Sequence, residues 1–201
     1  MDIHEYQAKA ILAEYGLPIA QGGLAYSPEQ AAYRTREIGG DKWVVKAQVH
    51  SGARGKAGGV KVCADEHEVW EAADEMLGKR LVTQQTGPKG KMISRLYVEE
   101  ATSITAEFYL SLVLDRCSER IMVVASAAGG MDIEEIAKNN PQAIVNISVE
   151  PAVGIQKFQA REIAFALGLE AKQVNQAVTV IEACYRAFRD LDATMVEIGR
   201  A

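Results

Sequence analysis

Apolar and polar positions along this chain change period several times, and each change marks a predicted element. Ile3, Tyr6, Ala10 and Leu12 recur at helical spacing behind Asp2 and Glu5, a pair set three apart as in a capping box. Gly16 and Pro18 close that segment. Ser27-Pro28-Glu29-Gln30 supplies a cap, a first-turn proline and a partner three residues on, so a second helix is predicted, ending at Gly39-Gly40. The run 43–49 (Trp-Val-Val-Lys-Ala-Gln-Val) is short, rich in β-branched residues and bounded by turn residues, as expected of a buried strand. A glycine- and cation-rich loop, 50–59, precedes a strand around 60–62. Asp65 and Glu68 open a helix carrying Val69, Trp70, Ala73, Met76 and Leu77, which stops at Gly78.

Beyond a turn at Gly87-Pro88-Lys89-Gly90, residues 93–98 read as a strand, and 108–114 with 120–125 read as strands paired across the polar turn 115–119. After Gly129-Gly130 the period becomes helical over 132–137, 158–167 and 172–188, with Pro141 and Pro151 breaking the stretch between the first two. Residues 194–198 read as a last strand. There is no internal repeat, low-complexity tract or linker. Interleaved strands and helices with one hairpin predict an α+β or mixed α/β fold.

Composition narrows the class. The chain has 201 residues, 48% of them apolar, with 22 basic against 27 acidic side chains and a formal charge of −5. That is a globular composition with one core, undivided or split into two lobes. The acidic balance argues against general nucleic-acid binding but leaves room for a local anion site. No apolar run approaches the roughly eighteen residues a membrane span needs. The start, Met1-Asp2-Ile3-His4-Glu5, lacks the basic-then-apolar order of a signal peptide. Cys63, Cys117 and Cys184 are odd in number and widely spaced, so they imply neither a disulfide framework nor a zinc site. A reducing cytoplasm is the expected setting.

Candidate chemistry gathers at few places. Lys46 lies inside a predicted buried strand, where an ammonium is costly unless paired; the alternative is a side chain leaning out at an edge. The loop Ser51-Gly52-Ala53-Arg54-Gly55-Lys56-Ala57-Gly58-Gly59 joins glycines, which let backbone approach a phosphate, to the charges of Arg54 and Lys56. It is neither a Walker A loop nor G-x-G-x-x-G, and by itself could be a mobile hairpin. A strand lysine, a glycine loop and a second strand in succession are one way to hold a triphosphate. Glu99, Glu100 and Thr102, with Glu107 beyond, could accept hydrogen bonds from a ribose, an adenine amine or a metal's water shell, or form a solvated acidic turn. Glu197, between Val196 and Ile198, marks either a pocket or an edge position. His4 and His67 are expected at the surface, and His50 borders the glycine loop. Trp70, Met76, Tyr185 and Phe188 are expected in the core, with Cys184 packing beside Ile181.

The motifs His4-Glu5-Tyr6-Gln7-Ala8-Lys9, Val44-Val45-Lys46-Ala47-Gln48-Val49-His50, Gly52-Ala53-Arg54-Gly55-Lys56-Ala57-Gly58-Gly59-Val60 and Leu77-Gly78-Lys79-Arg80-Leu81-Val82-Thr83 together resemble the beta subunit of ADP-forming succinate–CoA ligase. The likeness continues through Val98-Glu99, Tyr109-Leu110, Asp115-Arg116, Gly130-Met131-Asp132-Ile133-Glu134 and Arg161-Glu162-Ile163-Ala164-Phe165, so it covers nearly the whole chain. Residues 149–154 and 185–190 are more similar to the malate–CoA ligase branch.

This resemblance implies an ATP-grasp fold whose two lobes hold ATP between them, the first over 20–100 and the second over 1–19 with 101–201. It implies Lys46 on the ATP phosphates, Ala53-Arg54-Gly55 in the loop covering the nucleotide, and Glu99, Thr102 and Glu107 at the adenosine end. Ala53 stands where many members have glycine, which should stiffen the loop slightly. Glu197 matches an acid near the point where the phosphoryl group meets a histidine of a partner alpha subunit. From there the family passes phosphate to a carboxylate and exchanges it for CoA. Where the family continues Glu-Ile-Asn-Pro, this chain reads Glu197-Ile198-Gly199-Arg200-Ala201. The asparagine would be a magnesium ligand, so Mg2+ and nucleotide binding are expected to be weakened, and no metal-ligating residue is assigned. The fold is expected to be incomplete at its C-terminal end, without the second magnesium ligand, an aspartate, and the CoA-ligase domain. Two other readings compete with a nucleotide-binding part of a ligase: a non-catalytic module that binds an alpha subunit or regulates the intact enzyme, and a remnant left with an exposed strand edge.

Overall fold

A computed structural model describes residues 2–130 and 133–199. It divides into two compact units: residues up to Ala10 with Pro18–Ser103, and Ile11–Leu17 with the chain from Ile104 onward. Residues before Ile11, assigned on sequence to the second lobe, thus cluster with the first unit. The boundary falls inside the first helix, α1 (Glu5–Glu14). Its cap also differs from the predicted one. Gln7 Oε1 accepts from His4 N at 2.9 Å, and His4 O accepts from Ala8 N at 3.0 Å, so His4 and not Asp2 opens the helix. Glu5 is left free of capping duty.

The first unit is a four-stranded antiparallel sheet. Its strands are β1 (Gly22–Ala25), β2 (Trp43–Ala47), β3 (Val60–Cys63) and β6 (Leu96–Glu100), in the order β1-β6-β2-β3. Two helices, α2 (Pro28–Ile38) and α3 (Glu66–Met76), start where predicted: Ser27 accepts from Gln30 N and Asp65 accepts from Glu68 N. They pack on each other and bury Ala31, Val69, Ala73 and Met76 with Val45, Ala47, Leu96 and Val98 of the sheet. Trp70 departs from expectation. It is 36% exposed, its indole donating toward Glu29, because it falls off the buried α3 stripe formed by Val69, Ala72, Ala73 and Met76.

Two short strands, β4 (Arg80–Leu81) and β5 (Lys91–Met92), form a separate ribbon. The strand expected at 93–98 therefore starts later. Ile93 exchanges backbone bonds with Gly78 and Lys79 and links the ribbon to β6. Sequence patterning did not show β1, since Gly-Gly-Leu-Ala has little strand propensity. Pairing with β6 creates it.

The second unit carries the sheet β10-β7-β8-β9, also antiparallel: β7 (Tyr109–Asp115), β8 (Arg120–Ser126), β9 (Ile144–Val149) and β10 (Met195–Ile198). The predicted hairpin closes with Asp115 opposite Arg120, and the Asp115 carboxylate accepts from Cys117 N and Ser118 Oγ to hold the turn. The unpredicted strand β9 lies between Pro141 and Pro151. Pro141 opens a single 3-10 turn and Pro151 follows the strand, so neither interrupts it. Helices α4 (Ile133–Asn139), α5 (Lys157–Ala166) and α6 (Lys172–Asp190) complete the unit. Val174, Val178, Ile181, Tyr185 and Phe188 form the buried stripe of α6, spaced alternately four and three apart. The three thiols are free, Cys63 and Cys184 buried and Cys117 exposed in the hairpin turn.

Candidate functional site

The first unit's sheet has two faces of opposite character, and strand register assigns them. Val45 lies opposite Val98, and Ala47 opposite Leu96, on the apolar face. One residue along, Lys46 lies opposite Tyr97, with Glu99 the next residue of β6 on the same face. Lys46 is buried with 1% exposure, and Glu99 with 4%. The side chain does not lean out at an edge, because β2 is an inner strand flanked by β6 and β3.

The burial is compensated by a ring of charge. Lys46 Nζ pairs with Glu99 Oε1, while Lys9 Nζ pairs with Glu99 Oε2. Glu5 Oε1 lies 3.3 Å from Lys46 Nζ and 3.2 Å from Lys9 Nζ, and Glu5 Oε2 accepts from Arg54 Nη2 at 2.6 Å. Glu5 and Lys9 are one helical turn apart on α1, which places both on a single face. Burial alone would raise the Glu5 carboxyl, but Arg54, Lys46 and Lys9 outweigh it and hold the group down at about 2. Burial likewise opposes the charge of Lys9, yet Glu99 and Glu5 raise its ammonium above the ordinary value. The Lys9 ammonium also stands 5.4 Å from the centre of the Tyr97 ring. Three cations face two carboxylates, which leaves an excess of one positive charge in a largely dehydrated place.

Arg54 reaches this ring from a loop tied down at many points. Its Nη1 donates to Ala47 O at 2.8 Å, and its own carbonyl accepts from Gly59 N at 2.8 Å. Gly52 N donates to Gln85 Oε1 at 2.6 Å, and Ser51 Oγ meets Thr83 Oγ1 at 2.6 Å. Lys91 Nζ donates to His50 O at 3.1 Å. The loop is thus no unsupported hairpin. Ala53 sits at φ +55°, a left-handed conformation that penalises a Cβ. Replacing glycine there does more than stiffen the chain: it strains it. Gly55 is exposed on the other side of Arg54, as is Lys56.

The structure thus gathers Lys46, Arg54 and Glu99, with Ala53 and Gly55 flanking Arg54. Thr102 is exposed just after β6. Glu107 and Glu197 belong to the second unit. Glu107 O accepts from Gly129 N at 3.2 Å, and its carboxylate takes the space that a side chain at Gly130 would need. Glu197 is exposed on β10 opposite Ser111, an edge position and not a buried face. Burial first, and the Glu197 and Glu134 charges after it, push the Tyr109 phenol up.

Glu5 and Lys9 were missed as site residues. Their Glu-to-Lys spacing of four was the available signal, obscured by reading Glu5 as a capping partner. His4 is also misjudged as a surface residue. It is half-buried and its ring stacks on His50 at 4.0 Å; burial, then His50 and nearby cations, lower its pKa.

Among the described residues, no three His, Cys, Asp or Glu side chains gather as a metal-binding group. No helix among them is long and apolar enough to cross a membrane. The second unit holds an open cavity of about 370 Å³ lined by Phe108, Leu110, Leu167, Leu169 and Ile198 among others, without a titratable side chain. It offers apolar burial but no charge for a phosphate.

The chain is 63% identical over 199 residues to a "probable malate–CoA ligase subunit beta" of Mesorhizobium japonicum, covering 99% of this chain and 50% of that protein. It is 52% identical, over 99% of this chain and 51% of the relative, to the ADP-forming succinate–CoA ligase subunit beta of Parvibaculum lavamentivorans. The chain thus spans about half the length of these curated relatives. Among solved structures it is similar to a dinucleotide-forming acetyl-coenzyme A synthetase of Ca. Korarchaeum cryptofilum, with TM-score 0.73 and 21% identity over 97% of this chain and 84% of that one. ATP citrate lyase of Methanothrix soehngenii gives TM-score 0.73 and 23% identity over 98% of this chain and 46% of the other. These two likenesses speak for the fold alone. The family model described as the ATP-grasp domain matches residues 2–199, nearly the whole described chain, and the chain belongs to the ATP-grasp family.

Proposed function

We propose that this chain is the nucleotide-binding ATP-grasp portion of an ADP-forming acid–CoA ligase beta subunit, and that its first unit binds the phosphates of ATP. The supporting observation is Lys46, a fully buried ammonium held by Glu99 and Glu5 beside the loop-borne Arg54. A cation desolvated and oriented in advance needs no reorganisation when a polyanion arrives. Lys46 and Arg54 neutralise phosphate charge, and Glu99 fixes Lys46 in place through Oε1 while its Oε2 holds Lys9. Ala53 and Gly55 bring loop backbone to the nucleotide, and Thr102 and Glu107 serve its adenosine end.

The reaction this implies joins a dicarboxylic acid to CoA at the expense of ATP, yielding acyl-CoA, ADP and phosphate. Phosphate passes through a histidine of a partner alpha subunit, with Glu197 at the transfer point. The higher identity to the malate–CoA ligase relative than to the succinate–CoA ligase relative favours malate as the acid. Magnesium is a different matter. The position where the family carries a ligating asparagine is Gly199, which has no donor, sits at φ +143°, and would place a Cβ 2.5 Å from Phe108 O. That site does not fit a side-chain ligand, and charge neutralisation is assigned here to the protein cations.

Calorimetric titration with ATP, with and without magnesium and a purified alpha subunit, tests the reading. Saturable heat is expected for ATP, with adenosine, which lacks the phosphates, binding much more weakly. Absence of saturable ATP heat under every condition overturns it.

A further inference from the structure

Glu5 occupies a position with an unusual property. Its carboxylate is surrounded by three cations: Lys46 Nζ at 3.3 Å, Lys9 Nζ at 3.2 Å and Arg54 Nη2 at 2.6 Å. Lys46 and Arg54 are the two groups assigned above to ATP phosphates. One carboxylate, with two oxygens spread over three donors, reproduces the charge and hydrogen-bonding pattern of a phosphoryl oxygen pair. The two carboxylates of the ring differ in this respect. Glu99 is buried at 4% exposure and divides its oxygens between the two lysines, whereas Glu5 alone reaches Arg54, the cation delivered by the glycine loop.

We propose that Glu5 is an internal counter-anion of the phosphate site: its carboxylate takes the place of a phosphate oxygen in the ligand-free protein, and Arg54 passes from Glu5 to the phosphate when nucleotide binds. This rests on the reading of the first unit as the phosphate-binding part. Glu5 keeps Arg54 and the loop in register before binding and lowers affinity for the triphosphate chain by competing for the same cations. The adenosine end is untouched by it. Glu5 is therefore an affinity-setting residue that acts through Arg54, and its effect is confined to the charged part of the ligand.

The experiment compares wild type with Glu5→Gln and Glu5→Asp by calorimetry, using ATP, inorganic triphosphate and adenosine as separate probes, with a thermal melt of each protein. Removing one negative charge from the ring should tighten inorganic triphosphate about tenfold in Glu5→Gln. Adenosine binding should stay unchanged, and Glu5→Asp should stay within about twofold of wild type. Side-chain resonances supply a measurement that does not depend on the variant folding. In the wild-type protein, inorganic triphosphate should shift both the Glu5 carboxyl carbon and the Arg54 guanidinium nitrogens, and adenosine should shift neither. If wild type binds ATP but triphosphate is bound no tighter by a folded Glu5→Gln, or if Arg54 shifts while Glu5 does not, the counter-anion is overturned and the nucleotide reading stands. If neither ATP nor triphosphate binds to wild type or variant, both fall.

Discussion

Lys46 and Glu99 sit on neighbouring strands, diagonal to one another across the β2–β6 pair, and form an ion pair on the face of the sheet opposite the apolar core. A buried pair of this kind is costly to break from one side only. Removing Glu99 leaves the lysine with Glu5 as its remaining carboxylate, while removing Lys46 deletes the buried charge itself and leaves Glu99 with Lys9. Glu99→Gln should therefore destabilise by about 3 kcal/mol, and Lys46→Met by clearly less. Affinity should show a different pattern from stability: Lys46→Met is expected to abolish ATP binding although it is the better-folded variant. Urea unfolding paired with calorimetry reads both quantities, and a Lys46→Met protein that still binds ATP contradicts the role given to the lysine.

The Glu5 carboxyl, held at about 2 against an ordinary 4.5, ties stability to pH. A depressed carboxyl contributes fully above its unfolded-state value and loses that contribution as pH falls toward its folded one. The window is thus from about 4.5 down to about 2, and the linked free energy is about 3 kcal/mol. Lys9, raised by Glu99 and Glu5 against the effect of burial, acts at the other end: its contribution is present below 10.5 and lost as pH climbs through its folded value. Wild-type urea midpoints should fall steeply between pH 4.5 and 2. Glu5→Gln should start lower at neutral pH and show a shallower fall. Parallel curves for the two proteins would mean that another carboxylate carries the acid sensitivity.

How much of this was legible in the sequence depended on whether the determining contact was local. The caps at Ser27 and Asp65 and the buried stripe of α6 are local, and each is where the residue pattern places it. Lys46 was conspicuous because an ammonium interrupts an apolar run. Its partners were not, since Glu5 and Glu99 lie 41 and 53 positions away and only strand register and the first helix bring them together. β1 was invisible for the same reason: two glycines do not announce a strand, and the pairing with β6 makes one. β9 was legible in principle. Val145, Ile147 and Val149 alternate with Asn146 and Ser148, but the flanking prolines masked the period.

Ala53 offers a test of the loop that leaves the charge ring intact. At φ +55° its Cβ costs about 1–2 kcal/mol, against which a glycine adds about 0.4–1 kcal/mol of unfolded-chain entropy. Ala53→Gly should accordingly stabilise the protein by about 0.5–1 kcal/mol. Differential scanning calorimetry reads the sign directly. A lowered midpoint would place the loop in a different backbone conformation from the one seen here.

Gly22 tests whether the ring depends on the aromatic side chain beside it. A Cβ on Gly22 would stand 2.5 Å from Tyr97 Cζ and Oη, so even alanine must push the phenol aside. Tyr97 lies opposite Lys46 in the β2–β6 register, and its ring centre is 5.4 Å from the Lys9 ammonium. Displacing the ring removes a cation–π contact from Lys9 and loosens the cation that shares both carboxylates with Lys46. Overpacking of this sort costs about 1–3 kcal/mol in unfolding free energy. Because the disturbance points at the charged ring, ATP affinity should weaken as well, about twofold to fivefold if the lost cation–π contact is worth about 0.5–1 kcal/mol. Tyr97→Leu supplies the companion measurement. It keeps apolar bulk while deleting the ring, so it should relieve the clash in the double variant with Gly22→Ala but not restore affinity. If Gly22→Ala loses stability while ATP binds as tightly as in wild type, the tyrosine packs the sheet without supporting the phosphate site.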